Sequence, residues 1–231
     1  VNLFYQPEIP KGIHHLDEEE SRHAVKVLRM QVGDELQVTD GAGRFYKTRI
    51  TSTDARKCTF EIFETVFREP RKFSISLAIA PTKNIDRMEW LIEKAVEIGV
   101  EEVHFMLCKN SERKNINHDR LVKIAVSAMK QSGQYYLPAI HQLKPFAEVV
   151  ALPTAEKFIC YVDSENPHHL KALAQPNKSY FVLIGPEGDF RPDELALALA
   201  KGFVKTSLGP TRLRTETAAL VACQTLNFIN L

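Results

Sequence analysis

Two stretches decide how this chain reads: Ile184-Gly185-Pro186-Glu187-Gly188-Asp189-Phe190 and Leu208-Gly209-Pro210-Thr211-Arg212-Leu213-Arg214-Thr215-Glu216-Thr217-Ala218. Each follows a short apolar run and precedes a helix-like pattern. Each joins Gly and Pro to charged residues that a plain turn does not need. Two strand-to-helix loops of this kind belong at one edge of a parallel sheet, where open α/β folds hold their ligands.

Working outward, strands and helices alternate from Phe73 to the C-terminus. Strands are expected over Phe73–Ala80, Val103–Leu107, Lys157–Val162, Tyr180–Ile184 and Phe203–Leu208. Helices are expected over Arg87–Ile98, stopped by Gly99, over His118–Ser132, after Pro167, over Pro192–Lys201, and from a Thr215 cap to Ile229. Met88, Leu91, Ile92 and Ala95 mark the core face of the first helix, and Trp90 is assigned to core as well. Such alternation predicts an α/β fold, a mostly parallel sheet with helices on both faces. Pro138–Ala155 is the least patterned part.

The N-terminal part differs. Leu3–Tyr5, Glu35–Thr39, Phe45–Ile50 and Lys57–Phe63 read as short strands separated by Gly33-Asp34, Gly41-Ala42-Gly43 and polar turns. One helix interrupts them, capped by Asp17, with Glu18, Glu19 and Glu20 at its positive end. Ala24, Val27 and Leu28 form its apolar stripe. The expected organisation is a small β-barrel-like domain over residues 1–68, a linker at Arg68-Glu69-Pro70-Arg71-Lys72, and an α/β domain over residues 73–231.

The 231 residues carry a formal net charge of +1, so a nucleic-acid partner has to rest on local clusters, not on total charge. No apolar run approaches the ~20 residues of a membrane helix. No leader opens the sequence, and the expected location is the cytoplasm. Cys58, Cys108, Cys160 and Cys223 stand singly and read as free thiols in a reducing compartment. His14-His15 and His168-His169 lack metal-ligand spacing with Cys or Glu, and no metal requirement is expected.

In the first loop, Gly185 and Gly188 permit sharp turning and a close backbone approach to a ligand. A strand-to-helix turn with a solvated Glu187 is the plain alternative. A phosphate cradle is disfavoured because the P-loop lysine is missing and Glu187 opposes an anion. In the second loop, Thr215 and Glu216 are explained by helix capping. Arg212 and Arg214 frame Leu213, and structural and functional readings are even for either arginine alone.

Taken together, the loops resemble those of bacterial 16S ribosomal RNA uridine-N3 methyltransferases of the SPOUT superfamily. The matching residues are Ile184 to Gly188, Leu208-Gly209 and Leu213 to Ala218. Further matches are His23, Val27-Leu28-Arg29, Gly33-Asp34, Glu89, Lys94, Glu97-x-Gly99, Ser111-Glu112-Arg113, Gln131-Ser132 and Pro138. The chain departs from the family pattern at Asp189, where glycine is usual, and at Asn2 and Gln134, where arginine is frequent.

The resemblance implies a PUA-like N-terminal domain, a C-terminal trefoil knot, a homodimer, and S-adenosylmethionine held at the knot. It implies cofactor contacts from Asp163, Leu183, Ile184, Gly185, Pro186, Glu187, Gly188, Leu208, Gly209, Arg212, Leu213 and Thr217. The expected reaction methylates N3 of a uridine in small-subunit ribosomal RNA, free or in the 30S subunit. Uracil N3 lies on the pairing edge and carries a proton, so the base has to be unpaired or flipped out. Arg214 is the candidate for stabilising the anionic uracil. No general base stands out, since Glu216 and Glu187 are assigned to helix capping and ribose binding. Arg22, His23, Lys26, Arg29, Lys83 and Arg113 are the candidate RNA contacts. Another knotted RNA methyltransferase, acting on tRNA or ribose hydroxyls, and a non-catalytic assembly protein of the same fold are the alternatives.

Overall fold

The computed structural model describes residues 2–154, 156–162 and 168–231. The chain divides into two compact units: residues 1–70 with 126–137, and residues 71–125 with 138–231.

In the first unit, β1 (Leu3–Tyr5), β2 (Glu35–Thr39), β3 (Arg44–Ser52) and β4 (Thr59–Phe67) form a sheet in that order. β1 runs parallel to β2, and the remaining pairs are antiparallel. Phe4, Leu16, Leu36, Val38, Ile50 and Phe60 make its core. Gly43, at φ +97°, admits the Tyr136 hydroxyl to 2.4 Å from the site of a Cβ, so only glycine fits there. Asp17 caps α1 (Glu18–Arg22), accepting from the Glu20 amide at 2.8 Å.

The expected regular helix does not continue. His23–Val27 forms a π turn, closed by the Leu28 amide on the His23 carbonyl at 3.0 Å. The wider turn carries Val27 out of the apolar stripe, and it is 64% exposed while Ala24 stays buried.

The second unit holds a six-stranded sheet in the order β10-β8-β9-β5-β6-β7, with every pairing parallel. Its strands are β5 (Ser74–Ile79), β6 (Glu102–Leu107), β7 (Ala139–Pro145), β8 (Glu156–Cys160), β9 (Ser179–Ile184) and β10 (Val204–Thr206). Its helices are α2 (Ile85–Ile98), α3 (His118–Ser132, whose last residues belong to the first unit), α4 (Phe146–Val149), α5 (Leu170–Leu173), α6 (Pro192–Ala200) and α7 (Thr215–Ile229). β7 and α4 occupy the stretch that lacked pattern. β7 is an edge strand with a mixed burial pattern, so no clean alternation marks it.

Asn84 caps α2, and Gly99 ends it at φ +101° with its amide on Ala95 O at 2.9 Å. Met88, Leu91, Ile92 and Ala95 are buried as expected, but Trp90 is 47% exposed. At 100° per residue Trp90 falls on the opposite face of α2, which corrects its assignment to core. The most buried strand is β9 at the sheet centre, whose apolar run Tyr180–Ile184 suits covering on both faces. From edge strand β10 the chain returns to the centre, where α7 packs on β5, β9 and α2. This return is the course expected for a knotted C-terminal segment.

Candidate active site

All strands of the second unit's sheet run parallel, so the loops after β5, β6, β9 and β10 emerge at one edge. Loop 185–191 follows β9. Its turn is closed by the Asp189 amide on Pro186 O at 2.9 Å. The left-handed residue is Asp189, at φ +59°, and neither Gly185 nor Gly188. Aspartate tolerates this conformation because its short side chain bonds locally; here Oδ1 accepts the Phe190 amide at 2.8 Å. The usual glycine is thereby replaced without loss of the turn. Burial raises the Asp189 pKa, opposed by backbone hydrogen bonds from Phe190 and Val162 and by the Arg212 charge.

Glycine at both positions makes room for neighbouring side chains. A Cβ on Gly185 would stand 3.0 Å from the Phe190 ring, and one on Gly188 would stand 3.3 Å from Asn110 Cβ. Both vacancies are filled by the protein itself. At Gly209, φ +130°, no atom of the described residues comes within 4 Å of the Cβ position.

Neighbouring loops brace the first one. Asn110 Nδ2 donates to Gly188 O and Asp189 O, both at 3.0 Å. The Lys83 amide donates to Glu187 Oε1 at 3.1 Å. Arg113 donates from Nε to Thr82 O at 3.0 Å and from Nη2 to Lys83 O at 2.6 Å, so its guanidinium holds the loop after β5. Lys83 is exposed and its ammonium pairs with Glu112 at 3.0 Å.

One bond joins the two diagnostic loops. Thr215 Oγ1 donates to Gly185 O at 3.0 Å, from a side chain in a residue only 7% exposed. This corrects the capping expectation: Arg214 occupies the N-cap position of α7 and Thr215 lies inside the helix. Glu216 is not a solvated first-turn carboxylate either. It is 6% exposed, Oε1 lies 3.7 Å from Arg87 Nε, and Oε2 has no hydrogen-bond partner among the described residues.

The other predicted residues fall around this junction. Leu183 and Ile184 bury their side chains in the sheet, so they offer only main chain to the pocket. Pro186 is buried; Leu208, Gly209, Leu213 and Thr217 are half-buried; Glu187, Arg212 and Arg214 are exposed. Asp163 lies outside the described residues. Glu187 belongs to the loop after β9, and Leu208, Gly209 and Leu213 to the loop after β10, the two loops that the Thr215–Gly185 bond joins. Burial pushes the Cys160 thiol up to about 12 and Cys108 higher still, so neither is a ready nucleophile.

Sequence reasoning missed the part played by Asn110, and it missed a cleft of about 540 Å³ lined in part by Asp86, Glu89, Arg113, Asn117 and Arg120. In that cleft Arg120 Nη2 pairs with Glu89 Oε2 at 2.7 Å. These residues come from α2, the loop after β6 and α3, and no local motif joins them.

In the first unit, Arg22, His23, Lys26 and Arg29 are all exposed. Arg22 pairs with Glu18 at 2.8 Å, His23 packs on Phe4 at 6.1 Å, and Arg29 adopts φ +57°. Arg22 and His23 line a cleft of about 510 Å³ with Glu18, Glu19 and Val27.

Residues 69–227 match the family described as RNA methyltransferase domain, and residues 16–63 match the RNA methyltransferase PUA domain. The chain is 30% identical to the ribosomal RNA small subunit methyltransferase E of Synechocystis sp., over 87% of this chain and 68% of that protein. A probable rRNA-methyltransferase from Porphyromonas gingivalis superposes with a TM-score of 0.93 at 42% identity, covering 100% of this chain and 98% of that one. A ribosomal RNA small subunit methyltransferase E from Neisseria gonorrhoeae, bound to S-adenosyl methionine, gives a TM-score of 0.86 at 25% identity, covering 100% and 98%.

Proposed function

The chain belongs to the ribosomal RNA small subunit methyltransferase E family, and we propose that it methylates N3 of a uridine in 16S ribosomal RNA using S-adenosylmethionine. The observation that supports this reading is the Thr215–Gly185 hydrogen bond, which joins the loops after β9 and β10, the proposed walls of the cofactor pocket.

When bound, S-adenosylmethionine supplies an electrophilic methyl group, so the protein's task is alignment and charge stabilisation. The main chain of Ile184–Gly188 and Leu208–Leu213 would hold the cofactor, with Leu208 and Leu213 against its base and Glu187 at its ribose. Arg214, at the N-cap of α7, has an exposed guanidinium for which no ion pair is seen among the described residues. In this reading it stabilises negative charge on a uracil that has lost its N3 proton. Arg22, His23, Lys26 and Arg29 are the proposed RNA contacts of the first unit, and Lys83 that of the second. Arg113 is assigned to bracing the loop after β5, with RNA contact secondary. We propose a homodimer acting in the cytoplasm. Among the described residues no helix is long and apolar enough to cross a membrane.

The test is nucleoside mass spectrometry of small-subunit RNA from cells lacking the gene, with and without the restored gene. Loss of 3-methyluridine that returns on complementation is expected. Undiminished 3-methyluridine in the deletion strain would overturn the assignment.

A further inference from the structure

The sheet of the second unit carries a side-chain cluster that methyl transfer leaves unused. Glu102 and His104 stand two residues apart on β6 and therefore share one face. On β7, three steps cover the interval that two steps cover on β6: Val103 pairs with Ile140, and Phe105 with Leu143. A bulge of this kind re-aims a side chain, and His141 lies inside it. Its ring stacks on that of His104, with centroids 4.0 Å apart and planes at 6°. Glu102 Oε2 lies 3.0 Å from His104 Nε2 and 2.9 Å from His141 Nε2.

We propose that Glu102, His104 and His141 form a Zn²⁺ site, with water completing the coordination. Two imidazoles and one carboxylate are a donor set that zinc takes in three-ligand sites. The three donor atoms already lie within 4.8 Å of one another. Tetrahedral zinc with bonds of about 2.0–2.1 Å separates its donors by about 3.4 Å, so the required movement is small.

His104 is 9% exposed, and its pKa is pushed down to about 4, by burial first and by His141 next. Lys144 is the cation facing the cluster, and the Glu102 carboxylate offsets it.

Parallel rings cannot aim both nitrogen lone pairs at one point, so one ring has to turn. His104 is held against Phe181, at 5.2 Å and 79°. His141, half-buried on an edge strand, is the ring that has to turn. The cluster stands two to three strands from β9, roughly 10–14 Å at ordinary strand spacing. At that remove the ion is not a reactant. It clamps edge strand β7 to β6, where the bulge interrupts the ladder.

The experiment is calorimetric titration of the full chain, stripped of metal with a chelator, with ZnCl₂ at pH 7.5. The wild type should bind one equivalent that raises its melting temperature. His141→Ala, on the sheet edge, should keep the fold and bind on the order of 100-fold more weakly, and Glu102→Gln at least about tenfold more weakly. Co²⁺ in place of zinc should give the visible bands of a four-coordinate ion in the wild type only. Absence of binding by the wild type would overturn the proposal. So would undiminished binding by His141→Ala, which would move the ion to His14-His15 or His168-His169.

Discussion

Replacing Thr215 by valine keeps the side-chain shape and removes one hydroxyl, so it isolates the bond between the two loops. The lost interaction is the 3.0 Å hydrogen bond from Thr215 Oγ1 to Gly185 O. Thr215 is 7% exposed, while Gly185 is half-buried, so water can partly replace the donor at its carbonyl. A net hydrogen bond contributes about 1 kcal/mol, and an orphaned buried acceptor costs about 1–3 kcal/mol. Partial access of water sets the expected loss at the lower end, about 1 kcal/mol. For a chain of this size that lowers the melting temperature by about 2–4 °C.

If the same bond aligns the pocket walls, the affinity for S-adenosylhomocysteine falls by about five-fold, the equivalent of 1 kcal/mol. Thr215→Ser retains a hydroxyl and should recover most of both losses. Thermal melts and calorimetric titration of the three proteins provide the measurement. Valine at 215 with wild-type melting and affinity within two-fold would refute the claim that this bond holds the loops in register.

Arg214→Ala should cut turnover by about 10²–10³-fold, the usual cost of a lost charge-stabilising group, with cofactor affinity unchanged. Its exposed side chain predicts a stability change within about 0.5 kcal/mol, so near-normal turnover would remove it from the mechanism. Asp189→Gly should be milder than Asp189→Ala in chemical denaturation. Both lose the bond to the Phe190 amide, but alanine adds about 1–2 kcal/mol for a left-handed φ of +59°. Equal midpoints would show that the loop relaxes. Gly43→Ala should unfold or grossly destabilise the first unit, because its Cβ would meet the Tyr136 hydroxyl at 2.4 Å; a wild-type melt would contradict the packing.

Local chemistry was readable directly from residue order. Gly99 ends α2 and Asp17 caps α1 because cap and stop signals act within a turn of the chain. The alternation that predicts a parallel sheet is likewise a near-neighbour pattern. The paired loops were legible because each carries its own Gly, Pro and charged residues. Yet Thr215 was read as a cap, since a helix-starting threonine followed by glutamate looks the same whether its hydroxyl bonds its own helix or a carbonyl 30 residues away.

Only the assembled fold decided the remainder. β7 pairs along one side only and shows no alternation, so its existence depends on β6 being there to receive it. Gly185 and Gly188 also make room for Phe190 and Asn110, and Val27 leaves its stripe because of a π turn. His104 and His141 meet through strand pairing and a bulge. Hydrogen-bond ladders and packing bring together residues that no short-range propensity connects, and the chemistry of the pocket and of the histidine cluster arises at those junctions.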